Sequence, residues 1–220
     1  MFDIFFFTLE LIGTIAFAVA GAMTAMERKL DVLGVVILGV ITACGGGFFR
    51  DLCLGHVPVS MFQTPIYVLI AAISSLIMFI ICYIKKDISL SLNRHYKNIL
   101  NLTDAIGLGI FVVIGANKTI ELSYNSFFIV IFMATITAVG GGIIRDVCVN
   151  KIPNVFRKHL YAVPTILGAM LYYLLVKLHL SLYVSMPLVV IFISVFRMLS
   201  YKFELSLPRV IFKEEKETGK

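Results

Sequence analysis

Charged residues are scarce in this sequence. They make up 15% of its 220 residues, against 60% hydrophobic residues, and the mean hydropathy is +0.97. A soluble domain has about 25% charged and about 45–50% apolar residues. The shortage of charge therefore excludes an ordinary soluble domain and indicates a membrane protein.

The sequence also lacks the motifs that mark an enzyme or a metal site. It has no P-loop, Rossmann fingerprint, G-x-S-x-G or H-E-x-x-H. Its four cysteines, Cys44, Cys53, Cys82 and Cys148, form no C-x-x-C and no cluster with histidine, so we interpret them as apolar packing residues. We expect no enzymatic activity, no catalytic residue, no metal site and no cofactor.

A nucleic-acid partner and a cleaved signal peptide are disfavoured as well. The formal net charge is +6, but the basic residues fall in the short segments between apolar runs, where membrane topology explains them. The N-terminus opens Met1-Phe2-Asp3 without a basic region, and the apolar run after it is too long for a signal peptide. We expect that run to stay in the lipid bilayer as the first span.

Seven apolar runs approach the length of about 20 residues that crossing a bilayer requires. In chain order they are Ile4–Met26, Val32–Phe49, Phe62–Ile84, Leu102–Ile120, Tyr124–Ile144, Leu160–Val176 and Leu180–Phe196. The connections between them are short, apart from the segment 85–101. This pattern predicts an all-α transmembrane protein of seven helices.

Lysine and arginine are distributed unequally between the two sides that seven spans define. The side of the N-terminus collects Arg50, Lys118 and Lys177, whereas the opposite side collects the other 16 basic residues. Basic residues concentrate on the cytoplasmic side of membrane proteins. We therefore predict a multi-pass protein of the plasma (inner) membrane, with its N-terminus outside and its C-terminus in the cytoplasm.

An internal repeat covers most of the chain. With a shift of 95 residues, ITACGGGFFRDLCLGHVP (41–58) matches ITAVGGGIIRDVCVNKIP (136–153) at ten of 18 positions. With a shift of 94 residues, 10–27 matches 104–121 at seven of 18 positions. The first three spans therefore recur as the fourth to sixth spans, and the seventh span is additional.

Because three is an odd number, the second copy enters the membrane from the opposite side. The two copies are then related by a pseudo-two-fold axis in the membrane plane, as in many transporters with a pathway at the repeat interface. The predicted organisation is a first three-helix repeat over 1–84, a cytoplasmic linker over 85–101, an inverted second repeat over 102–179, a seventh span over 180–200 and a cytoplasmic tail over 201–220.

Three consecutive glycines lie late in the second span and again in the fifth, Gly45-Gly46-Gly47 and Gly140-Gly141-Gly142. Each glycine inside a helix costs about 1 kcal/mol relative to alanine, so we predict that both spans are broken at the triplets. Unwound backbone at membrane depth is buried or faces a water-filled cavity, which would place both triplets on a pathway. The alternative is close helix packing, since glycine lets backbones touch.

An arginine–aspartate pair follows each triplet. Arg50-Asp51 and Arg145-Asp146 are predicted to end the two spans at opposite faces of the membrane. Their simplest role is structural, as a local ion pair or as arginine bonds to carbonyls that the glycines free. The alternative is a charged gate at each mouth of a pathway.

Other polar residues fall inside the apolar runs. Glu10 and Asp104 are costly in hydrocarbon unless they are partnered or wet, so we consider them candidates for lining the pathway. Thr42 and Thr137, one turn before the triplets, add hydroxyls that suit a polar lining. Lys118 is either a movable charge that faces a cavity or a side chain that reaches the interface.

The first and fourth spans share the pattern G-x-x-x-F-x-x-x-G, at 13–21 and 107–115. Its glycines lie two turns apart, near one face of the helix. We interpret this pattern as a helix-packing seam.

The doubled motif G-G-G-x-x-R-D, in the second and fifth spans, resembles the prokaryotic branch of the trimeric intracellular cation (TRIC) channels. That branch overlaps a bacterial membrane family labelled as a glycine-transporter domain, and the resemblance covers nearly the whole chain. It implies a symmetric homotrimer with a separate pore inside each protomer, between the repeats. The residues it carries over are Gly45, Gly46, Gly47, Arg50, Asp51, Gly140, Gly141, Gly142, Arg145 and Asp146. In animal relatives a basic residue on span 4 is tied to gating, for which Lys118 is the nearest candidate.

Three functions stay open at this point. The first is a monovalent cation channel, chiefly for K⁺ but with Na⁺ as a possible permeant ion. The second is a secondary carrier of glycine or another small zwitterion, held between paired helix ends. The third is a membrane scaffold in which the glycines only pack.

Overall fold

The computed structural model describes residues 2–85, 94–157 and 160–205, and its elements are helices joined by turns. In chain order these are α1 (Phe2–Glu27), α2 (Val32–Cys53), α3 (Ser60–Gln63), α4 (Ile66–Lys85), α5 (Arg94–Glu121), α6 (Phe127–Cys148), α7 (Asn154–Arg157), α8 (Val163–Lys177) and α9 (Leu182–Lys202). The all-helical fold is confirmed.

Six helices of the described chain are long and apolar enough to cross a membrane, namely α1, α2, α4, α5, α6 and α9. The sixth predicted span corresponds to α8, an apolar helix of 15 residues. Seven of the helices therefore match the seven apolar runs of the sequence, while the count of seven membrane crossings stays a prediction.

Several helix boundaries differ from those predicted. The third predicted span is divided into α3 and α4, and α9 extends to Lys202 rather than ending at Phe196. The fifth helix begins at Arg94, inside the predicted linker, because Tyr96 is buried and its hydroxyl donates a hydrogen bond to the Met23 carbonyl of α1. Hydropathy alone cannot detect such a polar first turn. The eighth helix begins at Val163 rather than Leu160, and Pro164 in its first turn has the fixed φ that suits this position. Residues 86–93 of the linker and 206–220 of the tail lie outside the described residues.

Neither glycine triplet interrupts its helix, so the predicted breaks are wrong. The helices α2 and α6 continue without interruption from Val32 to Cys53 and from Phe127 to Cys148. A Cβ built on Gly46 would overlap the carbonyl oxygen of Thr137, and one built on Gly141 would overlap that of Thr42. The triplets therefore let two backbones touch, and this close packing offsets the low helix propensity of glycine.

The backbone contacts between α2 and α6 are reciprocal. Gly46 and Gly141 are equivalent positions, as are Thr42 and Thr137, so one contact is made twice with its partners exchanged. Such an exchange is the mark of a two-fold relation. As the chain advances from 42 to 46 along α2, its contact recedes from 141 to 137 along α6, so the two helices run in opposite directions. The inverted repeat is thus present in the fold.

The fifth helix is the most enclosed of the long helices, and α1, α6, α8 and α9 all pack against it. Its apolar residues form much of the main core, which includes Leu108, Val112 and Ile114. By contrast, α4 has many exposed large apolar side chains. This arrangement places the interface of α1 and α2 with α5 and α6 at the centre of the protein.

Candidate functional site

Each repeat places the same kinds of polar residue together. The first cluster consists of Glu10 (α1), Arg50 and Asp51 (α2) and Tyr67 (α4). The second cluster consists of Asp104 (α5), Arg145 and Asp146 (α6), Tyr161 (the turn before α8) and Arg197 (α9). Because the repeats are inverted, the two clusters lie toward opposite ends of the helix bundle.

The arginine and aspartate of each motif form a buried ion pair. In the first cluster, Arg50 Nε and Nη2 lie 2.8 Å and 2.7 Å from Asp51 Oδ1. In the second, Arg145 Nε lies 2.9 Å from Asp146 Oδ1. All four side chains are at most 5% exposed, so removing either arginine would leave a buried aspartate without its ion-pair partner.

Each motif aspartate also holds the segment that follows its helix. Asp51 Oδ2 accepts a hydrogen bond of 2.8 Å from the backbone N–H of Ser60, and Asp146 Oδ2 accepts one of 3.0 Å from that of Asn154. These bonds occupy the second oxygen of each carboxylate. The structural role predicted for the two aspartates accounts for this geometry.

The acids of the two clusters have different surroundings. Glu10 is half-buried beside Tyr67, with Arg50 and Lys118 near enough to act on it electrostatically. Asp104 is 5% exposed and lies between two arginines, with Arg145 Nη1 at 3.2 Å from its Oδ1 and Arg197 Nη2 at 3.8 Å from its Oδ2. Asp104 is therefore neutralised by direct ion pairs.

Two cavities adjoin these clusters. The large pocket, of about 500 Å³, adjoins the second cluster, and the small pocket, of about 40 Å³, adjoins the first. Five basic and two acidic residues line the large pocket, namely Arg28, Lys97, Arg145, Lys151, Arg197, Glu27 and Asp104. All five basic residues were predicted to lie on one side of the membrane, and the structure brings them together at one end of the bundle.

The predicted site residues fall into three groups in the structure. Those that line a pocket are Glu10, Gly47, Arg50 and Asp51 at the small pocket and Asp104 and Arg145 at the large one. Those at the contact between α2 and α6 are Gly45, Gly46, Gly140, Gly141, Thr42 and Thr137. The others line neither pocket and lie outside that contact: Gly142, Asp146 and Lys118.

The two threonines pack between helices. Each hydroxyl donates a 2.6 Å hydrogen bond to the carbonyl four residues earlier, Leu38 for Thr42 and Met133 for Thr137. Each hydroxyl also lies against a glycine of a neighbouring helix, Gly21 on α1 for Thr42 and its equivalent on α5 for Thr137. Their hydroxyls are thus engaged within the helix contacts.

Three residues of the clusters were missed from the sequence. Tyr67 and Tyr161 are separated by the same shift as Glu10 and Asp104, so extending the repeat alignment to α4 and α8 would have found them. Arg197 has no counterpart in the first repeat because α9 is additional. Its signal was an arginine directly after the last apolar run, which is costly near hydrocarbon unless the side chain is partnered.

Comparison with known proteins identifies the family. A family model described as glycine transporter matches residues 7–83 and again 101–177, at the shift that relates Glu10 to Asp104. The chain belongs to this family. Two similar relatives are the UPF0126 membrane protein YvgT of Bacillus subtilis, 40% identical over 93% of this chain and 96% of its own length, and the UPF0126 inner membrane protein YadS of Escherichia coli K12, 37% identical over 74% and 75%.

This chain also shares its fold with a solved TRIC cation channel. That structure, determined to explain conductance, superposes with a TM-score of 0.82 at 32% identity and covers 98% of this chain and 100% of its own. The resemblance to TRIC channels is thereby confirmed. Neither the glycine-transporter family nor the TRIC channels are enzymes.

Proposed function

We propose that this protein is a monovalent cation channel, chiefly for K⁺, with one path in each protomer between the two repeats. The observation that carries the proposal is the pair of clusters that lie at opposite ends of the repeat interface, each with an acid beside a pocket. A TRIC cation channel of the same fold supports it.

The path joins the small pocket to the large one along α1, α2, α5 and α6. Glu10 and Asp104 are the acids that a cation meets near either end, and the motif arginines lie beside them. Because α2 and α6 are unbroken, the carbonyls of the glycine triplets keep their helical hydrogen bonds and do not serve as ligands. The triplets instead allow α2 and α6 to pack closely, and this packing brings both clusters to one interface.

The charge of the large pocket has a consequence for conduction. Five basic residues against two acidic ones repel cations at low salt, and added salt screens that repulsion, with a Debye length of about 10 Å at 0.1 M. We expect the K⁺ conductance to rise more steeply than in proportion to KCl concentration up to about that salt level.

The surroundings and assembly of the channel follow the same proposal. We place it in the inner membrane, with the N-terminus and the small pocket outside and the C-terminus and the large pocket in the cytoplasm, because basic residues concentrate at the large pocket. YadS, a relative, is named an inner membrane protein. We further propose a homotrimer, as the name of the TRIC channels states for those proteins.

One observation favours a carrier of glycine or a similar zwitterion. The large pocket holds basic groups that suit a carboxylate next to Asp104, which suits an ammonium group. Asp104, however, already has two arginine partners, and any cation, K⁺ or ammonium, would compete with both. The channel is the first candidate because a solved TRIC cation channel shares this fold.

Recording from purified protein in planar bilayers tests the proposal. Discrete current steps are expected, with a reversal potential that shifts toward that of K⁺ in a KCl gradient. Protein-free bilayers provide the control, and glycine counterflow is measured in parallel in proteoliposomes. Saturable glycine exchange without current steps would contradict the channel and support the carrier.

A further inference from the structure

Two phenylalanines stack at the centre of the repeat interface. The ring centroids of Phe17 (α1) and Phe111 (α5) are 5.1 Å apart with an angle of 25° between the ring planes, and the two residues are 1% and 6% exposed. They are equivalent positions of the two repeats, so the stack lies across the pseudo-two-fold axis. The two halves of a path between the repeats must meet at this axis.

The stack also lies between the two pockets along α1, and on α5 it lies at the edge of the small pocket. On α1 the small pocket is lined as far as Thr14 and the large pocket begins at Thr24, with Phe17 between them. On α5 the large pocket ends at Asp104 and the small pocket begins at Phe111 itself. Within the described part of the chain, the two pockets share no lining residue, and these intervals correspond to roughly 10–15 Å of helix.

Each ring packs against a glycine of the other repeat. A Cβ built on Gly107 would overlap the ring of Phe17, and one built on Gly13 would approach Phe111 Cε2 to 3.3 Å and Ile110 Cγ2 to 2.7 Å. The glycines of the shared pattern G-x-x-x-F therefore do more than pack helices. They leave the space that two rings need to stack over the axis.

The stack belongs to a buried apolar cluster. Ala18, Leu108 and Ile110 are members of the same cluster, and they offer no side-chain oxygen that could replace the water around an ion. Narrow apolar constrictions exclude water and with it hydrated ions. A path from the small pocket to the large one would therefore cross this apolar cluster.

We propose that the Phe17–Phe111 stack is a hydrophobic gate for monovalent cations, and that the two rings must part before an ion passes from one pocket to the other. This inference rests on the proposed channel function and names its closing element. If the pair served only to fill the core, shortening it would destabilise the protein without joining the pockets.

The barrier can be tested without electrical recording, by measuring how fast a thiol in the small pocket reacts. Cys44 lines that pocket, and replacing Cys53, Cys82 and Cys148 with serine leaves it as the one thiol of the chain. The probe is Ag⁺, a thiol-reactive monovalent cation, added to oriented proteoliposomes from either side. The Cys44 fraction left unmodified is measured by maleimide labelling after denaturation.

In this background we expect Ag⁺ to reach Cys44 from the side of the small pocket and to react slowly from the side of the large one. The double variant Phe17→Ala/Phe111→Ala should react at least about tenfold faster from the large-pocket side. The matched control is Phe128→Ala/Phe132→Ala, which removes another stacked pair, with centroids 5.7 Å apart, from the exposed face of α6. An unchanged rate from the large-pocket side, or no reaction from either side, would overturn the gate.

A second, milder variant and a current measurement complete the test. Phe17→Leu/Phe111→Leu keeps most of the apolar volume and decides the matter if the alanine pair does not fold; its Ag⁺ rate should rise about threefold. Both variants should raise K⁺ current in planar bilayers. If the unmodified protein and both variants carry the same K⁺ current, the gate is wrong and the proposed channel function still holds. Faster Ag⁺ reaction without current in any protein would support the barrier and count against the channel.

Discussion

The first and second clusters share an acid, an arginine–aspartate pair and a tyrosine at equivalent positions, yet they differ in how the acid is held. Glu10 is half-buried next to Tyr67 and a pocket of about 40 Å³. Asp104 is buried between Arg145 and Arg197 at a pocket of about 500 Å³. One additional helix, α9, brings the second arginine and thereby makes two similar sites unequal.

This difference has a physical meaning for a path between the repeats. The arginine–aspartate pairs and the helix crossing are the symmetric part, and they stabilise the fold in both halves. The acid of the second cluster is engaged in two ion pairs, whereas that of the first has a hydrogen bond with Tyr67. Under the proposed function, the first acid is the more available of the two to a cation. The two ends of the path are thus expected to contribute unequally to stability and to conduction.

The largest effect is expected from removing the acid of the second cluster. Asp104→Asn leaves two buried arginines with one carboxylate, Asp146, and should lower the free energy of unfolding by about 3 kcal/mol. Glu10→Gln, the matched change in the first cluster, should cost no more than about 1 kcal/mol. Unfolding in mixed micelles, followed by circular dichroism, measures both, and equal losses would remove the distinction between the clusters.

A smaller effect, equal in the two repeats, is expected at the helix crossing. Gly46→Ala and Gly141→Ala each force a Cβ into a facing carbonyl, so each should cost about 2 kcal/mol. Gly47→Ala is the control, because its Cβ would come no closer than 3.8 Å to Arg50 Nη2, and it should be neutral or stabilising by up to about 1 kcal/mol. Clearly unequal losses at Gly46 and Gly141 would contradict the two-fold relation.

Removing the arginine of α9 should make the second cluster resemble the first. In Arg197→Gln the guanidinium 3.8 Å from Asp104 and 4.4 Å from the Tyr161 ring centre is lost, at a cost of about 1 kcal/mol. Asp104 is then less neutralised, so K⁺ current at low salt should rise about twofold. A fall in current in an equally folded variant would show that Arg197 holds the path open.

The smallest effect is expected from Lys118. This residue is half-buried and acts on Glu10 without a direct ion pair, so Lys118→Gln should change the free energy of unfolding by less than about 0.5 kcal/mol. If it repels cations near the small pocket, K⁺ current should increase at low salt and match the unmodified protein at high salt. Lys177→Gln at the end of α8 is the control, and a salt-independent change would argue for a plug instead.

Much of the fold was predictable because its signals are local or periodic. The apolar runs predicted the helices, and the doubled motif predicted the repeat. The family match and the reciprocal contacts of Gly46 and Gly141 support that repeat. The polar first turn of α5 was missed because hydropathy ignores contacts such as the bond from Tyr96 to Met23. Of the candidate site, the sequence identified the acids and the motif charges but missed the residues that α4, α8 and α9 add.

The sequence by itself determined which residues are equivalent in the two halves and that the halves are inverted, because both follow from matching positions and an odd number of spans. Only the tertiary structure decided that the glycine triplets join two unbroken helices, that Arg197 completes the second cluster, and that Phe17 and Phe111 meet at the axis. The reason is that these contacts join residues far apart in the chain. Glycine can break a helix or let it pack closely, and the facing backbone of the other repeat determines which occurs.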